Sequence, residues 1–275
     1  MKLIALLENT ACRADVAAEH GLSLYLEVNG RKVLFDAGPG ASVLANADAL
    51  GVDLSAVDTA VLSHGHNDHG GGMPAFLSRN DTAPLYVYEG AFAHHMALRE
   101  GGVTAEIGVP EQLHHHPQVR LCRGVTELGD GLTLFADIEG TELVSATNRF
   151  LLEETNGTAL PDPFLHEQNL AVQEGEKLYL LAGCAHRGVW NIMERFAAVM
   201  GRMPDVVVGG FHLSAPGRRN EAPTDAFLDE LSRRLLDSGA QFYTCHCTGA
   251  EAFEQLQQRM GQRVQYLHGG QMVEL

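Results

Sequence analysis

Val57-Asp58-Thr59-Ala60-Val61-Leu62-Ser63-His64-Gly65-His66-Asn67-Asp68-His69-Gly70-Gly71-Gly72 joins an apolar run of strand length to three imidazoles, a carboxylate and a glycine triplet. A short run as apolar as Val57 to Leu62 is the kind a sheet buries on both faces. Imidazole nitrogen and carboxylate oxygen are donors that Zn²⁺, Fe and Mn²⁺ accept. In a tight loop, His64 and His66 can grip one ion while Asp68 and His69 reach a second. Glycine lets the backbone turn sharply, and the triplet is expected to leave room for a substrate. A lone histidine in a polar loop is ordinarily just solvated. Four donors between His64 and His69, directly after a buried strand, are a metal-binding signal.

Working outward, the N-terminal side alternates. Leu22, Leu24, Leu26 and Val28 share one strand face, Asn29-Gly30 is a hairpin signal, and Lys32 to Phe35 returns. Ser42 to Leu50 reads as a helix stopped by Gly51. On the C-terminal side a short helix is expected from Met73 to Leu77, a strand from Leu85 to Tyr88 and a helix from Gly90 to Arg99. A less regular stretch follows to about Glu167, with short strands at Val119–Leu121 and Leu132–Phe135. Regular alternation then resumes. Asn169–Val172 and Lys177–Leu181 form a hairpin, Val189–Met200 a helix, and Asp205–Gly209 a buried strand. The clearest helix is capped by Thr224 and ended by Gly239, with Phe227, Leu228, Leu231, Leu235 and Leu236 on one stripe. Gln241–Cys245, Glu251–Met260 and Val264–Leu267 complete a strand, a helix and a strand. Strands and helices alternate in two similar halves with no linker between them. The expectation is one α/β domain over residues 1–275, with helices outside two packed sheets.

Composition narrows the function classes. Nineteen Lys+Arg against thirty-five Asp+Glu give a net charge of −16, which repels phosphate backbones and anionic lipid. Nucleic-acid and membrane partners are therefore not expected, and no apolar run approaches the roughly 20 residues of a bilayer span. Met1 to Glu8 reads as a first strand and not as a secretory signal. Five cysteines at irregular spacing make a poor disulfide framework, so a reduced, cytoplasmic protein is expected.

Two later segments add imidazoles at strand ends: Gly183-Cys184-Ala185-His186 and Cys245-His246-Cys247-Thr248-Gly249. With them the sequence resembles the metallo-β-lactamase superfamily, in which an HxHxDH loop and two later histidines bind one or two metal ions at the edge of a four-layer αββα sandwich. Glu8-Asn9-Thr10, Leu34-Phe35-Asp36-Ala37-Gly38, Gly209-Gly210-Phe211-His212-Leu213 and His246-Cys247-Thr248-Gly249 occur in order along the chain. They are similar to the branch of 7,8-dihydropterin-6-methyl-4-(β-D-ribofuranosyl)aminobenzene-5′-phosphate synthase-like proteins. The resemblance implies that His64, His66 and His186 hold a first metal and that Asp68, His69 and His246 hold a second. It also implies one or two divalent ions, zinc first, with iron or manganese also accepted by such donors. Cys184 stands where most hydrolases of the superfamily carry a metal-bridging Asp. It is either a thiolate ligand or a small buried residue.

The resemblance implies a metallohydrolase in which a metal-bound hydroxide attacks an ester, phosphoester or related small-molecule substrate, with Asp68 and His212 as catalytic residues. Two alternatives stand beside it: a pterin-linked transferase or synthase, as the branch name implies, and a non-catalytic metal- or ligand-binding protein. Arg218-Arg219 is the one tight basic pair placed to meet a phosphate, against the reading of an ordinary surface pair. Cys245 and Cys247 flank His246 and are expected to point away from its face as packed thiols. His94-His95 and His114-His115-His116 are expected to face solvent.

Overall fold

The turn at Asn29-Gly30 closes because both residues take left-handed backbone, φ 51° and 77°, as a type I′ hairpin requires. It pairs β2 (Ser23–Val28) with β3 (Arg31–Phe35) so that Leu24 faces Phe35 and Leu26 faces Val33. The structure is a computed structural model and describes residues 1–214 and 221–275. It divides into two compact units, the first made of Met1–His95, Glu106–Arg123 and Leu267–Leu275. Here β1 (Lys2–Leu7), β4 (Thr59–Leu62), β5 (Leu85–Tyr88), β8 (Val119–Cys122) and β18 (Met272–Glu274) join the hairpin in the order β18-β1-β2-β3-β4-β5-β8. β4 pairs parallel with both neighbours and buries every residue. One face of the sheet, including Leu34, Leu62, Leu85 and Val87, packs on α1 (Ser42–Ala49) and α3 (Met73–Arg79) through Val43, Ala47, Met73 and Phe76.

Between β4 and α3 lies the single turn α2 (Asn67–Gly70). The glycines after it do not leave open space, as the sequence reading supposed. A Cβ on Gly72 would lie 2.0 Å from the Ala37 carbonyl oxygen, and one on Gly71 would lie 2.3 Å from that of Pro39. They let the ligand-bearing loop press against the 37–40 segment.

The second unit comprises Met96–Ala105 and Gly124–Tyr266. Its main sheet has the order β17-β16-β15-β14-β13-β10-β9, from β9 (Val125–Gly129), β10 (Leu132–Phe135), β13 (Asn169–Glu174), β14 (Lys177–Leu181), β15 (Val206–Gly209), β16 (Gln241–Thr244) and β17 (Val264–Tyr266). β14 to β17 run parallel, joined through α4 (Val189–Met200), α5 (Asp225–Asp237) and α6 (Ala250–Met260). Ile192 and Phe196 of α4, Leu228, Leu231 and Leu235 of α5, and Leu256 of α6 pack on Leu180, Val207 and Phe242. Thr224 caps α5 by accepting from the Phe227 N–H, while Leu236, assigned to the apolar stripe, is exposed. A small sheet ordered β12-β11-β6-β7 uses β6 (His94–Leu98), β7 (Thr104–Glu106), β11 (Leu151–Thr155) and β12 (Thr158–Pro161). The expected α/β class is thus observed, each unit supplying a sheet with helices on one face.

The helix expected over Gly90 to Arg99 is not formed. A 3₁₀ turn at Glu89–Phe92 leads into β6, where exposed and less exposed residues alternate: His94 out, His95 in, Ala97 in. An Ala- and Met-containing segment with good helix formers took the period-2 solution because pairing in a sheet decides it. His95 is therefore fully buried, whereas His114 and His115 are exposed as expected. Among the described residues, no helix is long and apolar enough to cross a membrane.

Candidate metal centre

In the first unit the donors sit just beyond the C-terminal end of β4, where a parallel strand delivers its site residues. His64, His66 and His69 are buried, with ring centroids 4.6 Å apart for His64 and His66 and 4.2 Å for His64 and His69. Asp36, at the end of β3, organises them. Its carboxylate accepts the Ser63 N–H at 2.7 Å, the Ser63 hydroxyl at 2.7 Å and His69 Nδ1 at 2.6 Å. A hydroxyl that donates to Asp36 has only lone pairs left for His64 Nδ1, 2.8 Å away. Both imidazoles thereby carry their proton on Nδ1 and present the Nε2 lone pair, the form that ligates a cation. Asp36 holds this post in left-handed backbone, φ 60°, which a non-glycine residue adopts at some expense. Asp68, half-buried, places Oδ2 3.9 Å from His69 Nε2 and 3.3 Å from Nε2 of the half-exposed His20.

In the second unit Cys184 and His186 follow β14, His212 follows β15, and His246 and Cys247 follow β16. All five lie at the same end of adjacent parallel strands and all are buried. Ala185, His212 and His246 have φ of 53°, 50° and 50°. His186 is held on every side: its ring stacks on Phe164 at 4.4 Å and 5°, and Nδ1 faces Asn148 Oδ1 at 3.2 Å. Its N–H donates to Glu167 at 2.7 Å and its carbonyl accepts from Asn148 Nδ2 at 2.7 Å. Because Asn148 uses its amide nitrogen on that carbonyl, Oδ1 accepts from Nδ1–H and the His186 lone pair is again on Nε2. Glu167 also accepts the Arg187 N–H at 3.1 Å. Burial pushes its carboxyl up to about 7, although the two N–H groups act to lower it.

His186 and His212 have ring centroids 4.1 Å apart. Cys184, His212 and Cys247 bring one donor atom each within 4.8 Å of one another. The expectation that Cys247 points away fails because His246–Thr248 is a 3₁₀ turn, so strand alternation does not govern it. Burial acts to raise the Cys247 thiol. Hydrogen bonding to Cys184 and His212 and the charges of His246 and His212 outweigh it and hold the thiol well below its ordinary range.

The site residues expected from sequence are thus gathered as two sets, His64, His66, Asp68 and His69 in one unit and Cys184, His186, His212 and His246 in the other. Sequence reasoning missed Ser63, Asn148, Phe164 and Glu167, which orient the donors without bearing a ligand pattern. Arg218 and Arg219 lie outside the described residues.

Residues 17–189 match the profile of the Metallo-beta-lactamase superfamily, and the chain belongs to that superfamily. It is 25% identical to the 7,8-dihydropterin-6-methyl-4-(beta-D-ribofuranosyl)-aminobenzene-5'-phosphate synthase of Methanocaldococcus jannaschii, over 94% of this chain and 90% of that one. Among solved structures it resembles Tm1679, described as a metal-dependent hydrolase of the beta-lactamase superfamily. That match has 26% identity and a TM-score of 0.82, over 100% of this chain and 99% of that one. The metallo-beta-lactamase fold protein YhfI from Bacillus subtilis shares the fold at 12% identity and a TM-score of 0.60, over 99% and 98% of the two chains.

Proposed function

We propose that the chain is a metal-dependent hydrolase of small-molecule esters, phosphoesters or related bonds. In this reading His64, His66 and His186 hold one divalent ion, and Asp68, His69 and His246 hold another. The observation that carries the metal reading is the proton assignment in the first unit. Asp36 and Ser63 spend the Nδ1 protons of His69 and His64 on hydrogen bonds and leave Nε2 as the donor on both. A divalent cation, zinc before iron or manganese, supplies Lewis acidity and makes water ionise near neutral pH. Where the second ion is absent, Asp68 Oδ2 would accept a proton, and His20 Nε2, 3.3 Å away and half-exposed, would pass it to solvent. Five free cysteines suit a reducing, cytoplasmic setting.

A second reading is favoured by one observation, the synthase name of the relative matched over 94% of this chain. There the same ligands would serve C–N bond formation on a pterin-linked substrate. The deciding experiment combines elemental analysis with a panel of phosphodiesters, esters, lactones and lactams, together with a dihydropterin and ribosyl-aminobenzene phosphate pair. Hydrolysis that falls together with metal content in His66→Ala supports the first reading. Condensation without hydrolysis favours the second. Full turnover in metal-depleted His66→Ala rejects both.

A further inference from the structure

In the first unit Glu8, Asn9 and Thr10 follow β1, and among the described residues neither they nor His268 belong to a group of metal donors. Glu8 is fully buried, and its Oε1 accepts both the Thr10 N–H, at 2.7 Å, and the Thr10 hydroxyl. A hydroxyl that has donated to a carboxylate has only lone pairs left for His268 Nδ1, 2.7 Å away. The neutral His268 ring therefore carries its proton on Nδ1 and a lone pair on Nε2. This is the wiring of Asp36, Ser63 and His64, repeated at a second imidazole. Tying the two chain segments together does not explain it, because the backbone already does so. Cys12 N–H donates to the Gly269 carbonyl at 2.9 Å, Gly269 N–H to that of Thr10 at 2.9 Å, and Gly270 N–H to that of Ala5 at 2.7 Å. Burying a carboxylate is expensive, so a relay that ends on a partly exposed ring calls for a use of that ring.

The relay stands on the same rim as the metal loop. β1 and β3 are both antiparallel to β2, and β3 runs parallel with β4, so Glu8, Asp36 and Ser63 leave the sheet at one edge. Residues 19–22 bridge relay and loop. The Glu8 carbonyl accepts the Glu19 N–H at 3.2 Å, Asn9 Oδ1 accepts the Gly21 N–H at 3.2 Å, and the Asp68 carbonyl accepts the Leu22 N–H at 3.2 Å. A Cβ on Gly21 would lie 2.4 Å from that Asp68 oxygen, so glycine is what allows the approach. At about 4.8 Å per strand the ends of β1 and β4 are about 14 Å apart, the span of a small-molecule substrate and not of a metal–ligand bond. We propose that His268 is a specificity-determining residue whose Nε2 accepts a hydrogen bond from a hydroxyl of the substrate held at the metal loop, with Glu8 and Thr10 as its positioning residues. The proposal rests on the reading of that loop as a substrate site. A bare Nε2 accepts and cannot donate, so it selects a hydroxyl over an ether, a carbonyl or a phosphate oxygen.

The test uses full-length, zinc-loaded protein and takes each phosphodiester and ester of the panel as a pair, one member with a free hydroxyl on its leaving group and one with that hydroxyl methylated. His268→Ala should raise KM for the hydroxyl-bearing member about 3–10-fold, with kcat within about twofold and the methylated member unaffected. Thr10→Val should reproduce that split, and Thr10→Ser, which keeps the relay, should retain the parent values. An equal change for both members overturns the proposal, as does parent behaviour in His268→Ala or a Thr10→Ser that matches Thr10→Val. Nitrogen-15 spectra of histidine-labelled parent do not depend on an active variant. The His268 ring, assigned by the signals lost in His268→Gln, should show a protonated Nδ1 and a bare Nε2, and that Nε2 should shift on titration with the hydroxyl-bearing member alone. A protonated Nε2, or one that does not move, refutes the assignment. Should the parent hydrolyse neither member of any pair, the hydrolase reading fails while this titration still decides the role of His268.

Discussion

The two units supply donors by opposite means. In the first, the four residues fall between His64 and His69, on one loop after one strand, and a single buried carboxylate, Asp36, sets the protons of His69 directly and of His64 through Ser63. In the second, the donors are spread from Cys184 to Cys247 over three strand ends. Among them His186 takes its orientation from Asn148, Phe164 and Glu167, in the irregular chain before β13. One centralised network should fail as a whole when its hub goes. A distributed one should lose its members singly.

The largest effect expected is at that hub. Asp36→Ala would strand the Ser63 N–H, the Ser63 hydroxyl and His69 Nδ1 in a buried site, and should destabilise the protein by about 3–5 kcal/mol, read from urea denaturation. A loss below about 1 kcal/mol would mean the loop is held by its packing and that the centralised picture is wrong.

That contrast also explains what could be read from the sequence. Donor identity in the first unit was legible because spacing within one loop is itself geometry, and β4, α5 and the Asn29-Gly30 turn were legible because each obeys a local rule. The strand at His94–Leu98 was not, since its helix-forming residues are overruled by pairing. Cys247 was not, because a positive φ at His246 turns the chain out of strand alternation, and nothing in the letters marks an αL histidine. Asn148, Phe164 and Glu167 lie in a segment without periodicity, so only tertiary structure reveals that they face His186.

In the second unit, Glu167→Gln keeps the shape but turns an amide nitrogen toward one of the two N–H groups of His186 and Arg187. The expected loss is about 1–3 kcal/mol, smaller than at Asp36. Equal losses at the two positions would erase the distinction between hub and distributed network.

Removing one orienting partner at a time refines the comparison. Ser63→Ala leaves His64 Nδ1 without its acceptor, and Asn148→Ala does the same for His186. Each should weaken zinc affinity by about 10–100-fold in a competitive chelator titration. A distributed network predicts that Asn148→Ala leaves thermal unfolding nearly unchanged, while Ser63→Ala also lowers the midpoint because Asp36 loses the hydroxyl, one of its three donors. Identical unfolding curves for the two variants would count against this.

The smallest effects concern pH, where the units should again differ. In the first, burial, then the 3.1 Å hydrogen bond to Glu27, pushes the Tyr25 phenol above its ordinary value of 10.0. The folded state then keeps a proton that the unfolded chain releases, so this group's contribution is intact below about pH 10 and is lost as pH rises beyond it. In the second, Arg233 and then Arg234 hold Glu230 of α5 at about 2, below its ordinary 4.5. Its contribution is present above 4.5 and disappears as pH falls toward 2. Tyr25→Phe should therefore flatten the alkaline limb of a stability-pH profile and leave the acid limb alone. Glu230→Gln should do the reverse, and more weakly, because a pair on the helix surface is screened by solvent and salt where a buried phenol is not.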